Sequence, residues 1–340
     1  MNLDIITKNV QEIITREELK QLVRRGNKIK GYIGLEPSGF VHLGTGLIVG
    51  NKIKDLAEQG IDFTVLLADW HAYINDKLGG DMHKIKMSGE YLQKTLLKLG
   101  VPSSVKFIFA DERVDRKEYW GKVINVAKKT TLKRVKRAMS IMGRKEDEAE
   151  LDSSKIIYPF MQVADIFDLD LDLAYGGMDQ RHAHMLAREL APKLNYKVPV
   201  AVHTPLLPGL HGMGRMDPID AKMSKSKPNS SINVHEDADT IRMKISKAYC
   251  KERDFENNPL LKIAEYIIFP YYKDKITIER EVKFGGDITI NSFKELEHDY
   301  AEGLIHPLDL KNSIANELIE ILKPVTAYFS SHTDLLEGVK

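Results

Sequence analysis

The chain has 340 residues, which is long enough to bury a large core and suggests two domains. It carries 50 lysine and arginine residues against 49 aspartate and glutamate residues, so its net charge of +1 excludes a general attraction to polyanions. Any contact with nucleic acid must therefore come from local basic patches.

The composition also excludes several other classes of protein. Charged residues at 29% and hydrophobic residues at 43% are typical of a soluble globular protein, and no apolar run reaches the roughly 18 residues of a membrane-spanning helix. The amino-terminal residues lack a signal-peptide pattern. Cys250 is the only cysteine, which excludes an internal disulfide and a zinc site of several thiolates. We expect a cytoplasmic protein that makes no contact with membranes.

The amino-terminal part of the chain predicts a βα unit with a phosphate-binding turn. Residues 1–26 are predicted to be helical, and Lys30–Leu35 is predicted to be a strand. Turn residues follow at 37–39, and a helix begins at about Val41. The first amides of such a helix have no partner within the helix, and its dipole adds positive charge there. The helix start can therefore bind an anion such as phosphate.

Residues 42–50 leave three interpretations open. They can be the ordinary glycine-rich turn of a first βα unit. They can be a dinucleotide-binding fingerprint, although the glycines have the spacing GxGxxxG rather than GxGxxG. They can also be the HxGH phosphate-binding signature of class I aminoacyl-tRNA synthetases, with His42 and Gly44 in place and Thr45 where the second histidine is expected.

Alternating strands and helices follow this unit. Strands are predicted at residues 63–68, 105–110, 171–174 and 198–202, and helices at residues 82–99, 158–168 and from about 180 to 190. The alternation predicts a parallel sheet, whose ligands bind at the carboxyl ends of the strands. Residues 69–75 follow one of these strands and are expected in the same crevice.

Residues 112–154 interrupt this alternation. Within them, residues 128–145 contain eight basic residues and no acidic residue, and they predict a helix with Leu132, Val135 and Met139 on one side. This helix is either a solvated surface helix or a strip that contacts phosphates or a second subunit.

The helix that follows the insertion predicts a small polar pocket. Tyr158, Gln162 and Asp165 are spaced i, i+4 and i+7, so they share one face of the helix. A hydroxyl, an amide and a carboxylate together can hold a small polar ligand, but the same face can also be a hydrated outer surface. His182 and His184 stand two residues apart on the next helix, which makes a poor metal pair, so we expect structural roles for them.

Residues 209–231 predict a flexible loop, and the sequence KMSKS lies within it at residues 222–226. Two lysines and two hydroxyls on such a loop can close over a triphosphate bound at a helix start. The alternative is a solvated basic loop. The βα alternation stops beyond about residue 232, and helices are predicted at residues 237–248, 260–268, 292–302 and 308–322. We therefore place a domain boundary just after residue 232.

Four motifs occur in one order along the chain: HLGT at 42–45, YPFMQVAD at 158–165, GGMDQ at 176–180 and KMSKS at 222–226. In this order, and with HPLDLKN at 306–312, they resemble the tyrosyl-tRNA synthetases of archaea and the eukaryotic cytosol. The resemblance covers about residues 15–325. It implies an α/β fold, with a Rossmann-like parallel-sheet catalytic domain at 1–232, a helical insertion at about 112–154 and a mostly α-helical anticodon-binding domain at 233–340.

The resemblance implies a tyrosine–tRNA ligase, which activates L-tyrosine with ATP to tyrosyl-adenylate and transfers the tyrosyl group to the 3′ end of tRNA(Tyr). Tryptophanyl-tRNA synthetase shares the fold and the signatures and is one alternative, and a non-catalytic tRNA-binding paralogue is another. The glycine spacing disfavours a dehydrogenase. The family implies ATP with Mg²⁺ as a substrate complex, no tightly bound cofactor, no metal site of the protein itself, and a homodimer that pairs through residues 112–154.

The resemblance also assigns roles to single residues. The catalytic residues would be His42, Lys222 and Lys225. The phenolic hydroxyl of tyrosine would contact Tyr32 and Asp165, and its ammonium group would contact Tyr158, Gln162 and Gln180. ATP would also contact Gly44, Thr45, Ser224 and Ser226. The tRNA would contact Arg137 and Arg181 at its acceptor end and Phe284, His306 and Asp309 at its anticodon. The hydroxyl of Thr45 can replace one hydrogen bond of the missing histidine, which predicts a modest loss of rate.

Overall fold

The structure is a computed structural model that describes residues 1–142, 152–212, 222–223 and 230–339. The chain forms two compact units. One unit comprises Met1–Gly39, Lys52–Pro205 and Asp334–Lys340, and the other comprises Phe40–Asn51 and Leu206–Thr333. No helix in the described ranges is both long enough and apolar enough to cross a membrane.

The first unit is built on a six-stranded sheet. In chain order its strands are β1 (Glu12–Ile14), β2 (Lys30–Leu35), β3 (Asp62–Leu67), β4 (Lys106–Phe109), β5 (Leu173–Gly177) and β6 (Val200–Thr204). The order across the sheet is β1-β6-β5-β2-β3-β4, and every pair except β1–β6 is parallel. The predicted parallel sheet is therefore confirmed, and β2 and β5 lie at its centre.

Helices cover this sheet. They are α1 (Leu3–Thr7), α2 (Arg16–Arg24), α3 (Gly50–Glu58), α4 (Asp69–Ile74), α5 (Met82–Lys98), α6 (Asp111–Val114), α7 (Lys117–Lys128), α8 (Leu132–Ala138), α9 (Ser154–Asp168) and α10 (Arg181–Leu190). Short 3₁₀ segments lie at Lys77–Gly80, Met139–Met142, Met178–Gln180 and Pro192–Leu194, and Thr333–Glu337 is a further short helix. The apolar residues of β3, β5 and β6 are buried, as expected for a parallel sheet covered on both faces, whereas those of the edge strands β1 and β4 are only partly buried.

Local sequence signals set several helix boundaries. Thr15 and Glu18 form a reciprocal capping box that starts α2, because each side chain accepts the other's backbone N–H, at 2.9 and 3.2 Å. The carboxylate of Asp81 accepts two backbone N–H groups at the start of α5. Gly100 follows α5 with a φ of +94°, a backbone conformation in which glycine meets no steric penalty.

The second unit is mostly helical. Its described helical segments are Gly44–Val49, Ala238–Ser246, Pro259–Ile263, Ala264–Ile268, Phe269–Tyr271, Val282–Phe284, Phe293–Ala301 and Pro307–Ser330. An antiparallel hairpin of β7 (Ile276–Ile278) and β8 (Ile288–Ile290) completes it. His306 starts the long helix Pro307–Ser330, since its Nδ1 accepts the N–H of Leu308 at 3.2 Å.

Three local predictions were wrong. Residues 1–26 are not one helix, because β1 interrupts them and pairs with the edge of β6, with Glu12 opposite His203. The basic helix predicted at 128–145 is divided at residues 129–131, where the hydroxyl of Thr131 accepts the N–H of Arg134 and starts α8. The strand β7 was not predicted at all; it has only three residues and alternates buried and exposed positions.

The chain passes from the first compact unit to the second at residue 206, whereas the domain boundary predicted from the sequence follows residue 232. Two backbone hydrogen bonds explain why residues beyond 206 belong with 40–51. The N–H of Leu43 donates to the carbonyl of Ile232 at 3.0 Å, and the N–H of Val234 donates to that of Val41 at 2.9 Å. The functional division into a catalytic and an anticodon-binding domain stays a prediction.

Candidate active site

A buried polar pocket lies within the first unit beside β2 and α9. Tyr32 on β2 and Asp165 on α9 expose only 1% and 2% of their surface. The hydroxyl of Tyr119 on α7 donates to Oδ1 of Asp165 at 2.8 Å, and Nε2 of His71 on α4 lies 3.2 Å from Oδ2. The carboxylate is therefore held from two sides by residues far apart in the sequence.

The electrostatics of this pocket centre on Asp165. Burial raises the pKa of Tyr32 well above its ordinary value, and the negative charge of Asp165 raises it further, so the Tyr32 hydroxyl keeps its proton. Burial alone lowers the pKa of His71, but the carboxylate of Asp165, with those of Glu36 and Asp69, more than offsets this, and the pKa of His71 is raised. The His71 contact is electrostatic, because its ring nitrogen is not aligned for a hydrogen bond with any described residue.

The other end of the pocket offers oxygen acceptors. The hydroxyl of Tyr158 donates to Oε1 of Glu36 at 2.6 Å, and Nε2 of Gln162 donates to Oε1 of Gln180 at 3.0 Å. Oε1 of Gln162 is buried and has no hydrogen-bond partner among the described residues. A buried acceptor without a donor is costly, so this oxygen suits a ligand that brings an N–H group.

The helical face predicted from spacing is therefore an inner face. Tyr158, Gln162 and Asp165 are all buried, and the rings of His71 and Tyr158 meet edge to face with centroids 5.0 Å apart. The alternative of a hydrated outer surface is excluded for these three side chains. Their arrangement combines a carboxylate with two neighbouring hydroxyls at one end and amide and carboxylate oxygens at the other.

The predicted phosphate-binding turn belongs to the second unit. His42 pairs with Asn233 in an isolated antiparallel bridge, and the N–H of Gly44 donates to Nδ1 of His42 at 3.1 Å. Because Nδ1 accepts, the neutral imidazole carries its proton on Nε2, which makes Nε2 a donor for an anion. A Cβ on Gly44 would lie only 3.0 Å from the His42 ring, so the turn leaves little room for a side chain there.

The described part of the KMSKS motif lies beside this turn. The N–H of Met223 donates to the carbonyl of Leu207 at 2.7 Å, and Lys222 pairs with Pro208 in an isolated bridge. Leu207 is also a neighbour of Gly44, with its Cβ 3.7 Å from the position that a Gly44 side chain would take. The first lysine of the motif is thus anchored near His42 within one unit. Ser224, Lys225 and Ser226 lie outside the described residues.

The chain matches the family model of class I tRNA synthetases (W and Y) over residues 24–323. This chain belongs to that family. It is 51% identical over 330 residues to a tyrosine–tRNA ligase of Aeropyrum pernix, which covers 94% of this chain and 90% of the relative. A tyrosine–tRNA ligase of Picrophilus torridus is 50% identical over 323 residues, or 95% of this chain and 97% of the relative.

A crystal structure from Pyrococcus horikoshii extends the similarity to the fold. That structure is a tyrosyl-tRNA synthetase in complex with L-tyrosine; it is 42% identical, has a TM-score of 0.94 and covers 99% of this chain and 98% of its own. These similarities confirm the predicted family and the predicted α/β fold class. They also confirm the prediction that this class I tRNA synthetase is a tyrosine–tRNA ligase. ATP is the substrate that this family uses.

The residues predicted to contact tRNA have different surroundings in this synthetase. Arg137 is exposed near the end of α8, and Nε of Arg181 at the start of α10 contacts both carboxylate oxygens of Glu12, at 3.0 and 2.9 Å. Phe284 is an exposed aromatic residue, and His306 and Asp309 begin the long helix Pro307–Ser330.

Arg280 links the segments that carry these carboxyl-terminal residues. Its Nε donates to the carbonyl of Gly286 at 2.9 Å, and its Nη1 donates to the carbonyl of Leu304 at 3.1 Å. The guanidinium therefore ties the turn that follows Phe284 to the turn that precedes His306. These contacts show how the two segments are held, and the role of each residue in binding tRNA stays a prediction.

Sequence reasoning missed three pocket residues. Glu36 follows β2 at the carboxyl edge of the sheet, where ligands are expected, so its position carried a usable signal. His71 was expected in the crevice with the rest of residues 69–75, but its contact with Asp165 was not predicted. Tyr119 lies in the insertion, and no local pattern connects it with a carboxylate 46 residues away.

Proposed function

We propose that this chain activates L-tyrosine with ATP and transfers the tyrosyl group to the 3′ end of tRNA(Tyr). The observation that carries the proposal is the buried carboxylate of Asp165, held by Tyr119 and His71 beside the hydroxyl of Tyr32. A ligand that brings a hydroxyl donates a hydrogen bond to this buried acceptor, whereas a ligand without a hydroxyl leaves the acceptor unpaired. Tyrosine carries that hydroxyl, whereas tryptophan presents an indole of a different shape.

Tyrosine would lie with its phenol toward Tyr32 and Asp165. Its ammonium group would lie toward Tyr158, Gln162 and Gln180. The unpaired Oε1 of Gln162 supports this orientation, because an ammonium group supplies the missing donor. The tyrosine that the Pyrococcus horikoshii structure contains supports the same class of ligand.

The nucleotide would be bound by residues of the second unit. In the first step the carboxylate of tyrosine attacks the α-phosphate of ATP, and pyrophosphate leaves with the electrons of the broken P–O bond. A protein accelerates such a displacement by positioning the reactants and stabilising charge. His42 would donate from Nε2, and Lys222 and Lys225 would neutralise the leaving pyrophosphate. Gly44, Thr45, Ser224 and Ser226 would complete the ATP site.

Magnesium would enter this reaction with ATP. Mg²⁺ usually keeps several waters and is bound through substrate phosphates rather than a cage of protein ligands. Among the residues that the structure describes, no group of three or more histidine, cysteine, aspartate or glutamate side chains is arranged to hold a metal ion. We propose that Mg²⁺ belongs to the substrate complex and that the chain has no tightly bound cofactor.

The tRNA would contact both predicted domains. Arg137 and Arg181 would meet the acceptor end as part of the catalytic domain at 1–232. Phe284, His306 and Asp309 would read the anticodon as part of the domain at 233–340. The exposure of Phe284 supports this role, because an exposed aromatic ring can stack on a base that is turned out of its strand.

The insertion would form the interface of a homodimer in the cytoplasm. Trp120 and Ile124 are one helical turn apart on α7, and both are exposed, Ile124 to 63%. Leu132 on α8 is exposed to 71%. Large apolar side chains of this kind are concentrated at subunit interfaces and are otherwise unfavourable in water.

Charging of tRNA tests the proposal. The purified chain should attach radiolabelled tyrosine to tRNA(Tyr) in the presence of ATP and Mg²⁺, and should not attach tryptophan. Lys222→Ala should reduce the rate while leaving tRNA binding unchanged, because Lys222 is assigned to the pyrophosphate. Binding of tRNA without any charging would instead identify a non-catalytic paralogue.

A further inference from the structure

Four side chains form a continuous polar chain at one edge of the sheet in the first unit. Nε of Arg181 contacts both oxygens of Glu12, at 3.0 and 2.9 Å. Oε2 of Glu12 also lies 2.9 Å from Nδ1 of His203, and Nε2 of His203 lies 2.9 Å from Nδ1 of His184. These four side chains connect β1, β6 and α10, and both histidines are buried.

The donors and acceptors of these four side chains determine which nitrogen of each histidine carries a proton. The carboxylate of Glu12 can only accept, so His203 donates from Nδ1. A neutral His203 then accepts at Nε2, and His184 must donate from its own Nδ1. Every contact is satisfied with both histidines neutral and Glu12 charged, so the histidines fix the carboxylate in place without cancelling its charge.

Glu12 in turn fixes the guanidinium of Arg181. The side chain of Arg181 remains 40% exposed, and Glu12 is its only hydrogen-bonding partner in the described part of the chain. The carboxylate contacts Nε and leaves the two terminal nitrogens to a further acceptor. An arginine with a fixed plane binds an oxygen acceptor with less loss of side-chain entropy than a freely rotating one.

We propose that Glu12 is a positioning residue for tRNA, which holds Arg181 in the orientation that binds an oxygen acceptor at the acceptor end. The inference rests on the proposed function, in which Arg181 contacts that end. Glu12 acts through Arg181 and does not touch the substrate. Because the tyrosine pocket uses other residues, removing the charge of Glu12 weakens tRNA binding and leaves tyrosine activation intact.

Glu18 supplies a matched control. Its carboxylate contacts Nη2 of Arg188 at 3.0 and 2.9 Å, so it also joins the amino-terminal segment to α10 through a glutamate–arginine pair. Arg188 lies seven residues beyond Arg181 on the same helix and also donates to the carbonyl of Pro199. If Glu12→Gln acts only by weakening the attachment of the amino-terminal segment to α10, Glu18→Gln should lower tRNA affinity as well.

The experiment compares Glu12→Gln, Glu18→Gln, Arg181→Ala and the double variant Glu12→Gln/Arg181→Ala. For each, we measure the Kd for tRNA(Tyr) by fluorescence anisotropy, the KM for tRNA in charging and the rate of tyrosine-dependent pyrophosphate exchange. Glu12→Gln should raise Kd and KM about tenfold, the effect of losing one charge-assisted contact, with exchange unchanged. Glu18→Gln should change Kd less than about twofold, and the double variant should bind no more weakly than Arg181→Ala.

Several outcomes overturn the inference. An unchanged or lower Kd in Glu12→Gln does so, and so does an equal loss in Glu18→Gln. Additive losses in the double variant show that Glu12 does not act through Arg181. Glu12→Asp keeps the charge but displaces the carboxylate, so it should lose less affinity than Glu12→Gln. If Glu12→Gln fails to fold, Glu12→Asp takes its place in the test, and a folded Glu12→Asp with the Kd of the wild type contradicts the inference. A wild-type chain that binds tRNA but charges none refutes the proposed function, while the contrast in Kd still decides the role of Glu12.

Discussion

Asp165 is the residue on which we propose that amino acid selectivity depends in this synthetase. Its carboxylate is buried and already accepts from Tyr119, so it has been removed from water before the ligand arrives. A ligand hydroxyl that reaches this carboxylate therefore supplies a donor that bulk water cannot. A ligand without the hydroxyl would leave part of the carboxylate unsatisfied, and we propose this as the physical basis of discrimination against phenylalanine.

Asp165→Ala should weaken the preference for tyrosine over phenylalanine more than any other single change in the pocket. We expect a loss of about 10- to 100-fold in the ratio of kcat/KM values, equal to one charge-assisted hydrogen bond. Pyrophosphate exchange with each amino acid gives the ratio. Tyr119→Phe removes only the neighbouring donor, serves as the comparison and should cost less. An unchanged ratio in Asp165→Ala would reject the assignment of Asp165.

Spacing alone was enough to predict part of this pocket. Tyr158, Gln162 and Asp165 share a helix, and helical geometry places them on one face whatever the rest of the chain does. Glu36, His71 and Tyr119 reach them only through tertiary packing, across separations that carry no periodic signal. The burial of the face could not be predicted either, because it depends on α4 and α7 packing against α9.

The central strand β2 illustrates how sequence determines an element. Gly31 lies opposite Phe63 of β3, and a Cβ built on Gly31 would come within 2.9 Å of the buried side chains of Ile61 and Phe63. Gly31→Ala should therefore destabilise the first unit by about 1–3 kcal/mol, because neither neighbour can move without disturbing the core. Urea unfolding followed by far-UV circular dichroism measures the change.

Gly121→Ala is the matched control within the same unit. Gly121 lies in α7, and nothing lies within 4 Å of the position that its Cβ would take. The substitution should stabilise the helix by about 0.5–1 kcal/mol, because alanine loses less backbone entropy than glycine. If both substitutions shift the unfolding midpoint in the same direction, close packing around Gly31 is not the cause.

Elements with strong periodicity were predicted well, and those that depend on distant partners were not. Lys30–Leu35 was predicted with its observed bounds, and α5 ends one residue earlier than predicted. The three-residue strand β1 has too few residues for a pattern, and it exists because the edge of β6 supplies its hydrogen bonds. Likewise, the division of the basic segment before α8 depends on the capping hydroxyl of Thr131, which a count of charges cannot reveal.

At the scale of the whole molecule, buried histidines make stability depend on pH. Burial, together with the neighbouring His203, lowers the pKa of His184 from 6.5 to about 3. Between these values the unfolded chain binds a proton that the folded chain does not, so acid favours unfolding. The stabilising effect is complete above about pH 6.5 and is lost as the pH falls toward 3.

The free energy of unfolding should therefore fall below pH 6.5, by at most about 1.4 kcal/mol per pH unit for this one group. His184→Asn keeps an amide donor near the position of Nδ1 and removes the titration. Urea unfolding at pH 7, 6, 5 and 4 should give a shallower pH dependence for this variant than for the wild type. Parallel curves for the two proteins would show that His184 is not the titrating group.

The proposed homodimer is also a property of the whole molecule. Ile124→Asp should convert the dimer into a monomer at micromolar concentration, because a charge replaces an apolar side chain at the centre of the exposed face of α7. Size-exclusion chromatography with light scattering gives the mass. Val282→Asp changes an almost fully exposed apolar residue of the other unit and should leave the mass unchanged. A wild-type mass of one chain would refute the proposed dimer.

The central claim is that this chain uses the Asp165 pocket to activate tyrosine with ATP. Pyrophosphate exchange with tyrosine, tryptophan and phenylalanine, each at saturating ATP and Mg²⁺, tests it most directly, since the assay requires neither tRNA nor a second reaction step. Exchange should occur with tyrosine and be at least about a hundredfold weaker, in kcat/KM, with the other two. Exchange that prefers tryptophan, or no exchange with any of the three amino acids, would contradict the claim.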